Sequence, residues 1–247
     1  MTWAPTKPVA PVTRTVISDP YPSYHPAIAR ILAFDVNETL LDLSALDPLF
    51  ERTFGDAALR PQWFAQMLQV AFVGVITGRD VDFTTAQRGA LRMVAERTGT
   101  SLSDTQVDEI VGAMRTLPPH PDVAPALDRL RAGGLTLCSL TNSSLEVSRA
   151  QLEHAGIADR FEAILSADQV GRLKPAPEPY RLVADTFDVP IGDVRLIAAH
   201  AWDCAGAIAA GARAAFVARP GMVLGPVGEQ PDIVGADLDE VASLILA

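Results

Sequence analysis

Short apolar runs that stop at polar, chemically capable residues constrain this chain most. Ile31-Leu32-Ala33-Phe34 is such a run, and it ends at Asp35. Similar runs cover residues 135–140, 163–165, 194–199 and 214–218. Each reads as a parallel strand buried on both faces. Helical patterns separate them: 123–132 with a Gly133-Gly134 stop, 144–155 stopped by Gly156, 178–187, and 203–210 stopped by Gly211. This alternation predicts an α/β fold, a doubly wound, Rossmann-like parallel core sheet.

One stretch breaks the alternation. Residues 47–117 hold four helical patterns in succession, at 47–54, 61–75, 83–97 and 103–114, and Ser103 with Gln106 matches a capping box. No strand pattern of similar quality lies among them. The expectation is a helical cap inserted after the first strand, over the sheet's C-terminal edge, where open α/β sheets bind ligands. The core is then 29–46 plus 118–247. Residues 1–28, proline-containing and without an apolar signal-type segment, read as an extended tail rather than a secretory leader.

Composition narrows the function classes. With 30 acidic against 20 basic residues, the net charge is −10, which disfavours binding to phosphate backbones. No run of 18 apolar residues marks a membrane span. Cys138 and Cys204 lie in apolar segments and read as small buried hydrophobes of a reduced, cytoplasmic protein.

The chemistry concentrates at strand ends. A carboxylate closing a buried strand, as Asp35 does, is costly unless it is partnered or functional. Thr39, four residues on, is placed to donate to it. Thr141-Asn142 ends the second strand, Lys174-Pro175 follows the third, and His200-Ala201-Trp202-Asp203 ends the fourth. Parallel strands would bring all four groups to one crevice. Asp203 has a plain alternative as the N-cap of the following helix, and Tyr180 as a packing aromatic.

This order of motifs resembles the haloacid dehalogenase superfamily. Within it, the chain looks like the type II subgroup, the L-2-haloacid dehalogenases. The resemblance spans roughly residues 29–218. It implies that Asp35 attacks a halogen-bearing carbon and forms an ester that water then hydrolyses, with no metal or other cofactor. Lys174 would keep Asp35 ionised. Asp203 resembles the residue that positions or activates the hydrolytic water. Thr141 and Asn142 resemble a pair that binds the substrate carboxylate, and Tyr180 a tyrosine that holds the lysine region. It also implies a small-molecule substrate and a homodimer.

Two readings compete with it. One is a Mg²⁺-dependent phosphatase of the same superfamily. It would need an acid where this chain has Asn37 and an acidic partner where it has Ala199. The other is a ligand-binding member without catalysis, which the presence of Asp35, Lys174 and Asp203 disfavours.

The chain departs from the subgroup at three places. Asn37 stands where an aromatic is usual. Phe64, in Trp63-Phe64-Ala65-Gln66-Met67, stands where an arginine cradles the departing halide. Ala198-Ala199-His200 replaces a Ser-Ser-Asn segment before Ala201-Trp202-Asp203. Losing a charge-assisted contact costs about 1.5–3 kcal/mol, so a rate loss of roughly tenfold or more is expected unless another donor takes its place. Arg60 and Arg79 are candidates. His200 is another, either as a donor or as a base near the ester. The three changes together suggest a re-specialised pocket lined by Asn37, Phe64, His200 and Trp202.

Overall fold

The computed structural model describes residues 30–79 and 81–247, so the expected tail at 1–28 lies outside the described residues. The chain enters through strand β1 (Ile31–Phe34) and then runs through four helices without a strand: α1 (Asp47–Phe54), α2 (Leu59–Thr77), α3 (Phe83–Thr98) and α4 (Asp104–Ala113). Ser103 does cap α4, with Gln106 returning the bond to its backbone. Strand–helix alternation then resumes with α5 (Val123–Ala132), β2 (Thr136–Thr141), α6 (Leu145–His154), β3 (Ala163–Ser166), α7 (Pro177–Phe187), β4 (Val194–Ala198), α8 (Ala201–Ala209) and β5 (Arg213–Val217). A short β6 (Ile233–Gly235) and helix α9 (Leu238–Leu246) close the fold.

The sheet is parallel, with strand order β3-β2-β1-β4-β5-β6. Strand order reverses between β1 and β4. Their carboxyl ends open a crevice there, and ligands bind at such a switch point. Ile31 pairs with Val194 and Phe34 with Ile197, and Asp35 N–H continues the ladder to Ile197 O at 3.0 Å. Asp35 is therefore the first side chain beyond the pairing.

β1 is buried along its whole length, as its unbroken apolar run requires. Side chains alternate between faces. Leu32 and Phe34 pack with Val123, Leu127 and Leu130 of α5 and Val241 of α9. Ile31 and Ala33 face Val183 of α7 and Ala207 of α8. Residues of α2, α3 and α4, among them Trp63, Leu91 and Ile110, join the first of these cores.

Two readings needed correction. α8 begins at Ala201 with His200 as its N-cap residue, so Asp203 sits inside the first turn and caps nothing. β6 and α9 were not foreseen: β6 has only three residues, one of them exposed, and shows no apolar run.

The fit between α7 and α8 is tight at Gly206. A Cβ there would lie 2.5 Å from the Tyr180 hydroxyl and 2.6 Å from Pro175 Cβ. Gly206→Ala is expected to cost about 1–3 kcal/mol, the usual penalty for overpacking. A lowered urea midpoint at unchanged m-value would show it.

Candidate active site

β1, β2, the loop before α7, and the start of α8 deliver the site. Lys174 is fully buried, and its ammonium has three acceptors: Asp35 Oδ1 at 2.9 Å, Asp203 Oδ2 at 2.5 Å and Leu140 O at 2.9 Å. An ammonium has three N–H bonds, so this one is fully satisfied. The Lys174 backbone is held as firmly. Asn142 Oδ1 accepts from Lys174 N–H at 2.7 Å, and Asn142 Nδ2 donates to Lys174 O at 3.1 Å.

Asp35 receives two more donors on its other oxygen. Thr39 Oγ1 donates to Oδ2 at 2.7 Å, and His200 Nδ1 lies 3.1 Å from the same oxygen. Ala199 N–H donates to Thr39 Oγ1 at 2.9 Å and fixes that hydroxyl. Burial pushes the Asp35 carboxyl up, but Lys174, His200 and Thr39 outweigh it and hold Asp35 well below the usual carboxylate range. Burial likewise opposes the charge on Lys174, and Asp203 and Asp35 more than restore it.

His200 completes an arrangement that sequence reasoning missed. Its Nε2 lies 2.9 Å from Glu38 Oε2, so the ring spans Asp35 and Glu38. Burial lowers its proton affinity, yet bonds and charges from both carboxylates raise the pKa from 6.5 to about 10. At neutral pH both ring nitrogens therefore donate. Glu38 is 9% exposed and has φ 63°, a left-handed conformation that costs a non-glycine residue roughly 1–2 kcal/mol. Its N–H bonds Leu41 O at 2.9 Å, which closes that turn. The available signal was an acid standing between Asn37 and Thr39 in the loop that follows Asp35.

A small cavity adjoins these groups. It is lined by Asp35, Asn37, Thr141, Asn142, Lys174, His200 and Trp202 from the core, and by Phe64, Leu68 and Phe83 from α2 and α3. The space open to the centre of a water is about 10 Å³, room for about one water. Phe83 also borders a separate cleft of about 390 Å³, lined by Arg88, Arg115 and Ser143 among others. Leu68 and Phe83 had no role in the sequence reading.

The remaining expected residues fall into place individually. Phe64 stacks on His200 with ring centroids 5.9 Å apart and planes at 17°. Asn37 is oriented by two neighbours: Gln151 Nε2 donates to its Oδ1 at 2.9 Å, and its Nδ2 donates to Ser143 Oγ at 3.3 Å. Thr141 Oγ1 accepts from Ser143 N–H, which leaves its hydroxyl proton available. Trp202 Nε1 is buried without a partner. Tyr180 is not a lining residue; its hydroxyl donates to Asp203 Oδ1 at 2.6 Å beneath the site. Asp203 is fully buried behind Lys174 and also lies outside the lining. Neither arginine proposed as a replacement reaches the cavity. Arg60 pairs with Asp47 at 2.5 Å and lies 3.6 Å from Glu38, and Arg79 lines a shallow groove beside Gln66 and Met93.

Comparison with known proteins gives the same direction. A family model of haloacid dehalogenase-like hydrolases matches residues 29–211. (S)-2-haloacid dehalogenase 2 of Pseudomonas sp. (strain CBS-3) is 28% identical over 87% of this chain and 95% of its own length. Haloacetate dehalogenase H-2 of Moraxella sp. (strain B) is 25% identical over 87% of this chain and 96% of its own. The structure of L-2-haloacid dehalogenase from Xanthobacter autotrophicus superposes with a TM-score of 0.81 at 26% identity, covering 87% of this chain and 98% of that one.

Two measurements test the electrostatics. Lys174→Met leaves two buried carboxylates without their ammonium and is expected to cost about 3–5 kcal/mol in urea unfolding. His200 has a raised folded-state pKa, so its contribution to stability is complete below pH 6.5 and fades as pH rises through about 10. His200→Gln should therefore flatten the alkaline fall in stability over that window.

Proposed function

The chain belongs to the haloacid dehalogenase-like hydrolase family, and on that premise we propose that it hydrolyses the carbon–halogen bond of a short 2-haloacid through an ester on Asp35. The observation that carries this reading is the state of Asp35: ionised, clamped and facing a small cavity. Oδ2 already accepts two bonds, whereas Oδ1 accepts one, from Lys174. Oδ1 therefore keeps a lone pair for in-line attack on carbon. Halide leaves as a stable anion, so no general acid, metal or cofactor is required. Thr141 and Asn142 have N–H and O–H bonds left for the substrate carboxylate.

The leaving halide needs donors, and the arginine that resembles the family's halide cradle is replaced by Phe64. The Trp202 indole N–H is a buried donor without a partner, in a residue that lines the cavity. We assign it to the departing halide. The helices α1–α4 act as a cap, with Phe64, Leu68 and Phe83 excluding water. A space that admits about one water cannot hold a haloacid, so those side chains must move for substrate to arrive, and Phe83 stands between the cavity and the larger cleft.

Carbon is favoured over phosphorus by the donor set. Asn37 has no proton to give at neutral pH. Ala199 stands where the phosphatase reading needs an acidic partner for the metal, and the Asp203 carboxylate is instead bonded to Lys174 and Tyr180. Among the described residues no helix is long and apolar enough to cross a membrane. Both cysteines are buried free thiols, which supports a reduced, cytoplasmic setting. A homodimer is the expected assembly, with the exposed Val73 and Ile76 of α2 as candidates for its face.

The test is halide release from 2-chloro- and 2-bromopropionate in the presence of chelator. Wild-type protein should turn over, and Asp35→Ala should fall to background. Trp202→Phe should lose roughly 10- to 150-fold, the equivalent of about 1.5–3 kcal/mol for one charge-assisted bond. Folded protein that releases no halide from any short haloacid, or that hydrolyses an aryl phosphate only with Mg²⁺, would overturn the reading.

A further inference from the structure

Asp35, His200 and Glu38 have the relations of a nucleophile, a base and the group that orients the base. We propose that His200, oriented by Glu38, is the base that activates water in the second half-reaction, in place of Asp203. This deepens the haloacid reading and rests on it.

Position is the first argument. His200 lines the cavity and lies 3.1 Å from Asp35 Oδ2. Asp203 is walled off, with one oxygen on Lys174 and the other on Tyr180. The cavity that His200 and Asp35 both line has room for about one water. Glu38 fixes the tautomer. A neutral ring keeps its proton on Nε2, bonded to Glu38 Oε2 at 2.9 Å, and turns the Nδ1 lone pair toward Asp35. Phe64 lies parallel over the ring and holds its plane.

Charge is the second argument. The titratable groups facing His200 are Asp35 and Glu38, with Lys174 beyond Asp35 and Arg60 3.6 Å from Glu38. Attack by Oδ1 forms the oxygen–carbon bond, and halide leaves with the electron pair. The Asp35 charge vanishes with that step. Burial, which disfavours the imidazolium, is then opposed by Glu38 alone. His200 releases its proton, which is the net acid of the overall reaction.

The second step balances as follows. Water oxygen bonds to Asp35 Cγ, and Nδ1 takes one of its protons. The oxyanion forms on Oδ2, where Thr39 donates at 2.7 Å. The Cγ–Oδ1 bond then breaks. The departing hydroxyacid oxygen takes the second water proton, and the water oxygen stays in the restored carboxylate. Asp35 is again ionised beside a protonated His200, which is the resting state.

Rapid mixing of 2-bromopropionate with the full-length protein, followed by halide detection and intact-protein mass measurement, separates the two steps. His200→Gln is expected to release about one halide per site at close to the wild-type rate, then turn over at least 100-fold more slowly, with Asp35 carrying the ester mass. Glu38→Gln should keep the burst and slow the second step about tenfold or more. It carries the prediction by itself if His200→Gln does not fold. Steady turnover without ester in both variants would overturn the proposal, as would loss of the burst, which would place His200 in the alkylation step. So would ester that accumulates in Asp203→Asn but not in His200→Gln. Wild-type protein silent toward every haloacid would instead sink the underlying reading.

Discussion

The Lys174 ammonium, buried between Asp35 and Asp203, is the contact on which the site depends. A charge with no exposed surface survives only if every N–H is bonded and the charge is met. Here β1 supplies one carboxylate, α8 the other, and β2 a carbonyl at Leu140. Asn142 holds the lysine backbone from the end of β2, and Tyr180 holds Asp203 from α7. Even the close approach of α8 to Pro175 at Gly206 serves this geometry. The lysine thus ties three strand ends together and favours the ionised form of Asp35.

Most of this was legible in the sequence for a local reason. A parallel strand buried on both faces must be apolar throughout, so its first polar residue marks the carboxyl end. Asp35, Thr141 and His200 announce themselves in this way, and Lys174 follows the third run before a proline. Thr39 was readable from its distance along the loop after Asp35. Contacts set by tertiary packing were not. Phe64 and His200 are far apart in sequence, and nothing in either segment says that their rings stack. Gln151, which orients the Asn37 amide, looks like any polar residue on a helix. The N-cap of α8 was expected at Asp203 rather than at His200, because strand-end loops blur where a helix starts.

The three departures from the subgroup become one change when their contacts are traced. Phe64 stacks on the imidazole, the imidazole spans Asp35 and Glu38, and Asn37 lies in the same loop, oriented by Ser143 and Gln151. Where the family resemblance implies a cation at position 64 on α2, this chain has Phe64, and it carries a cation, His200, at the end of β4. The flat face of Phe64 is suited to cover it, since an aromatic ring attracts a cation over its face. A guanidinium at position 64 would instead face the imidazolium with like charge.

The charge count explains why such a cation belongs beside Asp35. Three carboxylates, Asp35, Glu38 and Asp203, face three cations, Lys174, His200 and Arg60. Asp47, which holds Arg60 from the rim, is 39% exposed and screened by water. The buried set is therefore balanced while Asp35 is ionised. Forming an ester on Asp35 removes one negative charge and leaves a surplus positive charge in a buried site, where an unmet charge costs most. Lys174 keeps Asp203, and Arg60 keeps Glu38 and Asp47. His200 is the only one of the three cations with a proton that leaves readily from an ordinary pKa of 6.5. On the proposed mechanism, alkylation thus converts the imidazolium into a base at the moment when the reaction needs one, and hydrolysis of the ester restores the balance.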